Sequence, residues 1–544
     1  MTLFDETYDY IVIGSGSAGS VVASRLSETS TSRVLVIEAG GRDWMPLYKV
    51  PLMAGTLFRS KYNNWWYQTL PEPNLNERQI RWPRGKVLGG SNQINGMVYT
   101  RGHRLDYDIW QQMGCLGWGY DDILPFFKKS ENFIGPNSTY HGKEGPLTVR
   151  PHGIENPLYD AFIESGVKAG FVRSKDFNEP NREGFGRYHF TIKNGQRWSS
   201  ASAFLKPAMD RSNLTVKTKC QVMRILFDGK KAIGVNVNYK NNRVNIGAER
   251  EIILCGGTIG SPQLLLLSGV GPKKDLEELD IPIVENLPGV GKNLHDHLVA
   301  RMQYTLKENI DLYDQLRLDK AAIHVIKALL FGRGLGTSFP LEGGCFIKTS
   351  PNLDAPDIQC NFVPALVPKS YLPFSTPAFG HKHGFYNGVH QTQPESRGSI
   401  KLRSTDPLAH PLIFANYLAT ENDKLTMRNG VKLMRKVFNQ GPIAAVIKSE
   451  LQPGPDVLSD QQLDQWISQV GDTVYHPVGT CKMGIDEMAV VDPNLKIYGL
   501  ENIRVADASI MPIINGSNTN APTIMIGEKC SEMITSGNQN PPKR

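Results

Sequence analysis

The chain lacks most of what would mark it for a membrane, an oxidising compartment or a nucleic acid. No apolar run approaches the roughly 20 residues that a bilayer-spanning helix needs. The two most continuous stretches are residues 264–267 and 321–331, the second interrupted by His324 and Lys327, so no integral membrane segment is expected. Only seven cysteines occur in 544 residues, scattered and without a Cys-x-x-Cys pair. That number and spacing argue against a disulfide framework and against a zinc centre or other metal site. Asp5, Glu6 and Asp9 precede the first apolar run, unlike a secretory leader, and a reducing cytoplasm is the expected location. Lys and Arg outnumber Asp and Glu by only 60 to 53, with no basic block able to track phosphates, so nucleic acid is not an expected partner. What is present is 40% hydrophobic, 21% charged and 9% aromatic residues, the balance of a globular enzyme. The length suits two domains or one large, interrupted α/β body.

The first local signal is a βαβ unit. Residues 10–13 read as a buried strand, residues 20–26 as a helix and residues 34–37 as a second strand ending at Glu38 and Ala39. Between the first strand and the helix lies Gly14-Ser15-Gly16-Ser17-Ala18-Gly19. In such a turn the first glycine permits the tight reversal, the second lets backbone approach a pyrophosphate, and the third allows close helix–strand packing. The helix N-terminus offers unpaired N–H groups to the anion, and Glu38 is placed to accept from a ribose diol. Gly14, Gly16, Ser17, Ala18, Gly19, Glu38 and Ala39 are therefore candidate dinucleotide contacts. The motif alone does not choose between NAD and FAD.

Further along, Arg84-Gly85-Lys86-Val87-Leu88-Gly89-Gly90-Ser91-Asn92-Gln93-Ile94-Asn95-Gly96-Met97-Val98, then Gly257-Thr258-Ile259-Gly260-Ser261-Pro262, then Tyr475-His476-Pro477-Val478-Gly479-Thr480, and finally Asn518-Thr519-Asn520-Ala521-Pro522-Thr523 follow in order. In these segments the sequence resembles the glucose-methanol-choline (GMC) oxidoreductases, closest in pattern to bacterial alcohol-, sorbose- and choline-dehydrogenase-type members. One departure is Asn92, where the family usually has a small residue. The resemblance implies FAD, with further contacts from Leu88, Gly89, Gly90, Ser91, Asn95, Gly96, Met97, Val98, Val222, Asp507, Ala508, Asn520, Pro522 and Thr523. Asp507 is expected to bond a ribitol hydroxyl or backbone amides. Ile94 stands where some members carry a flavin-linking histidine, so a non-covalent, dissociable FAD is expected.

The resemblance also implies an α/β fold: a Rossmann-like FAD-binding domain with a discontinuous substrate-binding domain built on a mixed or antiparallel sheet flanked by helices. The spread of the signals assigns residues 1–154, 212–301 and 471–544 to the first and residues 155–211 and 302–470 to the second. Alternating stretches at 358–362 and 399–403 suit that sheet. Residues 312–331 have helical spacing; an ordinary packed helix is the expectation there, with a peripheral membrane face as the alternative. The tail, residues 537–544, reads as frayed.

By the same resemblance His476 is the base that accepts an alcohol's hydroxyl proton while hydride leaves for flavin N5. Asn520 is the second member of the pair, able to hydrogen-bond the substrate oxygen but not to act as a base; its other reading is the N-cap of a helix beginning at Ala521. Glu342 matches a pocket position of choline-oxidising relatives, with Trp65, Trp66 and Tyr475 as aromatic walls, and Gln393 is a further pocket candidate. The expected activity is oxidation of a primary or secondary alcohol to the carbonyl, with oxygen or a quinone-like acceptor reoxidising the flavin. A hydroxynitrile-lyase-type activity and a choline-specific enzyme are the alternatives.

Overall fold

The computed structural model describes residues 4–367 and 380–537. Two seven-stranded sheets organise them. In the first, Glu6–Ile13 lies between Val34–Glu38 and Asn242–Leu254, and Leu214–Thr218 extends the far side, all in parallel. Tyr10 to Ile13 and all of Val34–Glu38 are buried, the continuous apolar reading expected of parallel strands covered on both faces. Asn242–Leu254 is long enough to serve two neighbours. Its first half pairs antiparallel with Lys231–Tyr239, which pairs in turn with Cys220–Asp228, and its end pairs parallel with Ile503–Val505.

The strand–turn–helix unit is tight for a steric reason. Gly14 has φ +101°, and a Cβ there would meet the Cys255 carbonyl oxygen at 2.3 Å; a Cβ on Gly19 would lie 1.9 Å from the Gly14 oxygen. Only hydrogen fits at either position. The helix so placed, Ser17–Leu26, packs against Asn520–Thr535 from the other end of the chain. Gly527 permits that contact, since a Cβ there would approach the Ala18 oxygen to 2.9 Å.

The second sheet is antiparallel throughout, in the order Ile447–Gln452, Leu298–Leu306, Gly384–Gln391, Ile358–Val363, Gly343–Ile347, Gly184–Arg187. Its pleat separates two environments. Leu298, Ala300, Met302, Tyr304 and Leu306 join a core with the helices Pro157–Lys168 and Glu421–Phe438. Val299 and Arg301, with Asn361, Tyr386 and Gly388 from the neighbouring strands, turn the other way and face a cavity.

Two local expectations are altered. Leu298–Leu306 spans the 301/302 division and Asp472–Thr473 pairs with it, so both belong to the second sheet. Ser399–Lys401 forms a separate two-stranded pair with Leu412–Phe414 instead of joining that sheet. Residues 312–331 form Tyr313–Leu316 and Leu318–Phe331, and the longer helix packs on the body through a narrow face, with Ala321 and Ala328 buried and Val325 and Leu329 partly so. Residues 538–544 of the tail lie outside the described residues.

Candidate active site

Between the sheets lies a cavity of about 410 Å³. One end is built from the nucleotide half. Gly14, Gly16, Ser17, Ala18, Glu38, Ala39, Gly90, Ser91, Asn95, Gly96, Met97, Val98, Val222, Asp507, Ala508, Asn520 and Thr523 all line it. Gly19, Leu88, Gly89 and Pro522 do not. Gly19 packs helix on turn, Leu88 is buried in the core, Gly89 supplies a left-handed turn at φ +96°, and Pro522 is buried in the first turn of its helix. Missed by sequence reasoning are Cys220, Gln221, Cys255 and Gly256, which reach the wall at or just after strand ends and carry no motif legible on its own; Gly257 and Thr258, which open the second family-like segment, also line it without having been assigned a contact.

The fit to a dinucleotide rests on the shape of this end. A Cβ on Gly16 or Gly257 would meet nothing within 4 Å, whereas one on Gly90 would come to 2.9 Å from the Gly16 Cα. Backbone thus borders open space where side chains are excluded. Glu38 accepts from Ser15 N at 3.1 Å, Ser15 Oγ at 2.6 Å and Gly40 N at 2.7 Å, and burial pushes its carboxyl up. Asp507 accepts from Gly257 N at 2.8 Å, Ser261 Oγ at 2.6 Å and Ser509 N at 2.8 Å, the backbone-holding alternative of its expected roles. Ile94 is buried and aliphatic, with no atom able to form a bond to a flavin methyl group.

The other end centres on His476. Its backbone N–H donates to Asp296 Oδ1 at 2.7 Å, while Asp296 Oδ2 accepts from Thr473 Oγ1 and Tyr417 OH, each at 2.5 Å. Its ring Nδ1 lies 3.0 Å from His297 Nδ1. His297 Nε2 lies 2.7 Å from the Thr392 carbonyl oxygen, an acceptor only, so that nitrogen carries hydrogen. Burial holds His297 at about 4, hence neutral at pH 7, and its Nδ1 is then an acceptor. His476 Nδ1 must therefore donate, which leaves the lone pair on His476 Nε2. Burial, with His297, His390 and Arg84 nearby, keeps His476 well below the ordinary histidine range. His297 and Asp296 escaped sequence reasoning because their contacts with His476 span about 180 residues; the His295-Asp296-His297 triplet was the available signal.

Asp296 yields a testable pH dependence. Burial pushes it up to about 6, against the bonds from Thr473 and Tyr417 and the charge of Arg84. As pH falls through about 6 it takes a proton and loses acceptor strength toward His476 N–H. Its folded pKa lies above the ordinary aspartate value of 3.8, so this protonation favours the folded state and does not itself drive acid unfolding. An acid limb in kcat/KM near pH 6 is expected, and Asp296→Asn is expected to remove that limb. An unchanged limb in the variant would assign it elsewhere.

The partner at His476 Nε2 is Asn518, whose Nδ2 lies 3.0 Å away, and not Asn520. Asn520 points back toward the nucleotide end, where its Oδ1 accepts from Ser17 Oγ at 2.7 Å and Asn92 Nδ2 at 2.5 Å. Its own Nδ2 is buried with no protein partner. Nor is it the N-cap: Thr519 occupies that position and Asn520 begins the helix. The unusual Asn92 acquires a reason here, since its Oδ1 also accepts from Ser200 N at 3.0 Å and ties three segments together.

Two pocket candidates fall outside the cavity. Glu342 is fully buried; it accepts from Gly153 N and Ile154 N, both at 2.9 Å, and pairs with Arg187 at 2.6 Å, which leaves no oxygen for a ligand cation. Gln393 donates to Asp106 Oδ1 at 2.7 Å, and Asp106 in turn holds Gly516 N at 2.9 Å. Tyr475 and Trp65 do line the cavity. Trp66 does not, and lies under the Arg81 guanidinium at 5.3 Å. Phe58, Tyr67, Phe339 and Tyr386 complete an aromatic wall that also carries Arg59, Arg84 and Arg301.

A nucleotide turn and a histidine–asparagine pair at opposite ends of one cavity define a flavin-dependent oxidoreductase of the GMC type. Residues 8–299 match the N-terminal and residues 394–527 the C-terminal model of GMC oxidoreductases, and the chain belongs to that family. It is thus an FAD-dependent oxidoreductase of CH–OH donors. It is 44% identical over 535 residues to an oxygen-dependent choline dehydrogenase of Pseudomonas savastanoi pv. phaseolicola, covering 97% of this chain and 93% of that protein. The protein of the same name from Brucella suis biovar 1 is 42% identical over 528 residues, covering 97% and 95%. Among solved structures, pyridoxine 4-oxidase from Mesorbium loti superposes with a TM-score of 0.88 at 30% identity, covering 97% and 99%. A formate oxidase of Aspergillus oryzae does so at 0.91 and 26%, covering 98% and 99%.

Proposed function

We propose that the chain oxidises an uncharged primary or secondary alcohol, with His476 Nε2 accepting the hydroxyl proton and Asn518 Nδ2 donating to the alcohol oxygen. The observation that carries this reading is the tautomer set by Thr392 and His297, which leaves His476 Nε2 without a hydrogen, its lone pair facing the Asn518 amide donor. Bound in the cavity, FAD supplies the acceptor for the hydride released from the alcohol carbon. His476 keeps the proton while its Nδ1–H stays bonded to His297, so the imidazolium has a fixed acceptor. An alcohol of pKa roughly 15.7 lies about nine units above even a free imidazole, roughly 12 kcal/mol. Full proton transfer without help is therefore too costly: either the alkoxide is stabilised as it forms, or proton and hydride leave in close succession. The Asn518 donor and the N-terminus of Asn520–Thr535, which opens on the cavity, both lower the energy of negative charge developing there.

The substrate class follows from the wall. Among the described residues, the cavity's carboxylates are Glu38 and Asp507 at the nucleotide end, both engaged in their own bonds. The substrate end has Arg59, Arg84 and Arg301; Asp296 lies in the field of Arg84 and Asp472 bonds Arg301 at 3.0 Å, but neither carboxylate lines the cavity. Such a wall opposes a quaternary ammonium. Choline is the second reading, favoured by the aromatic lining and by the names of the relatives. In an anaerobic stopped-flow panel, neutral benzylic and aliphatic alcohols are expected to bleach the flavin with kcat/KM about tenfold or more above choline; choline as the best substrate would overturn the assignment. Readmission of air then separates dioxygen from a quinone-class acceptor by the speed of recolouring. The same preparations test the flavin linkage: with Ile94 at the attachment position, acid precipitation is expected to release all FAD to the supernatant, and colour left in the pellet would contradict it.

A further inference from the structure

The helix Leu318–Phe331 turns its small residues inward and its large apolar ones outward. Ala328, with Val325 and Leu329, packs against Tyr48, Leu52 and Leu57. Toward solvent stand Leu318 at 63% exposure, Ile323 at 51%, Ile326 at 53%, Leu330 at 70% and Phe331 at 67%. Ile323, Ile326 and Leu330 follow i, i+3, i+7 spacing and form one stripe. Lys320 and Lys327 are exposed seven residues apart along its flank, and Arg317 and Arg333 are exposed at its ends. The one acid from residue 317 to residue 333 is Asp319, paired with Arg317 at 3.3 Å. An exposed apolar stripe bordered by cations is the composition of a helix lying in a lipid interface.

We propose that this helix docks the enzyme on an anionic phospholipid surface, with Ile326 and Leu330 in the acyl boundary and Lys320 and Lys327 against headgroup phosphates. The charge argues for lipid over a second copy of the chain, because a two-fold contact here would bring like-charged flanks together. Trp44 at 73% exposure and Tyr62 at 53% bracket in sequence the segment on which the helix rests, and such residues favour membrane–water interfaces. That segment continues into Ala54–Arg59, whose Phe58 and Arg59 line the cavity. Docking therefore sets the substrate end of the enzyme on the lipid side, where a lipid-borne quinone-class acceptor resides; only that last step rests on the acceptor reading above.

The test is co-sedimentation of the FAD-loaded full chain with vesicles. Binding is expected to phosphatidylcholine vesicles that contain phosphatidylglycerol, not to phosphatidylcholine alone, and raised salt is expected to reverse it. Ile326→Glu/Leu330→Glu is expected to lower vesicle binding roughly tenfold or more with turnover on a soluble dye acceptor unchanged, a readout that reports on the oxidation chemistry separately. If that variant loses its flavin, Lys320→Gln/Lys327→Gln serves instead, with a loss of about tenfold expected. Equal recovery in the supernatant with and without phosphatidylglycerol overturns the proposal. So does a wild-type dimer in sedimentation velocity that the glutamate variant dissolves without any vesicle binding.

Discussion

His476→Ala is expected to bind FAD normally and to slow anaerobic flavin reduction by roughly 10³-fold, about 4 kcal/mol. The two halves of that expectation have different sources. Retention of FAD follows because the nucleotide end is assembled from Gly14, Gly16, Glu38, Gly90 and Asp507, none of which bonds to the His476 ring. The rate loss follows because removal of the imidazole takes away the unprotonated ring nitrogen that the hydrogen-bond chain Thr392–His297–His476 presents to the cavity. A buried histidine held well below its ordinary range is a weak base at rest. Its use is that it is neutral at working pH and becomes a cation only as negative charge leaves the alcohol carbon. Stopped-flow absorbance under nitrogen checks this directly, and reduction at near wild-type rate with full flavin content would remove His476 from the chemistry.

How far the site was legible depends on which forces placed each residue. The nucleotide end was readable because its glycines answer a local demand: φ +101° at Gly14 and contacts of about 2 Å awaiting any Cβ at Gly14 or Gly19 leave one residue type per position. His476 was reached through its motif. The residues that hold it were not, because Asp296, His297, Thr392 and Tyr417 come from distant strands and loops and no periodicity links them. Glu342 and Gln393 failed for the same reason. A carboxylate or amide in a loop looks available until Arg187 and Asp106 arrive from elsewhere and take its bonds. For Leu318–Phe331 the 3.6-residue pattern was legible, but a pattern has no sign. Packing of Ala328 against Tyr48 and Leu52 decides that the alanine side faces in.

The exchange of Asn520 for Asn518 carries the second large effect. Two asparagines two residues apart stand at a helix start, and the turn through Ser517 and Thr519 aims them at opposite ends of the cavity. Asn518→Ala is expected to lower the rate of flavin reduction about 10²-fold, the loss of one preorganised donor at the reacting oxygen, with FAD content unchanged and His476 still titrating. Asn520→Ala is expected to do the reverse. It breaks the junction with Ser17 and Asn92 and removes the unpartnered Nδ2 at the cavity wall, so FAD occupancy falls while the loaded fraction reduces at near wild-type rate. Measuring flavin per protein alongside the single-turnover rate separates the two, because each variant moves one quantity and spares the other. Should Asn520→Ala slow reduction and Asn518→Ala leave it intact, the pairing with His476 would have to be reassigned to Asn520. The difference arises from direction rather than residue type: both side chains are carboxamides, and only the one whose Nδ2 stands 3.0 Å from His476 Nε2 reaches an oxygen that is giving up its proton there.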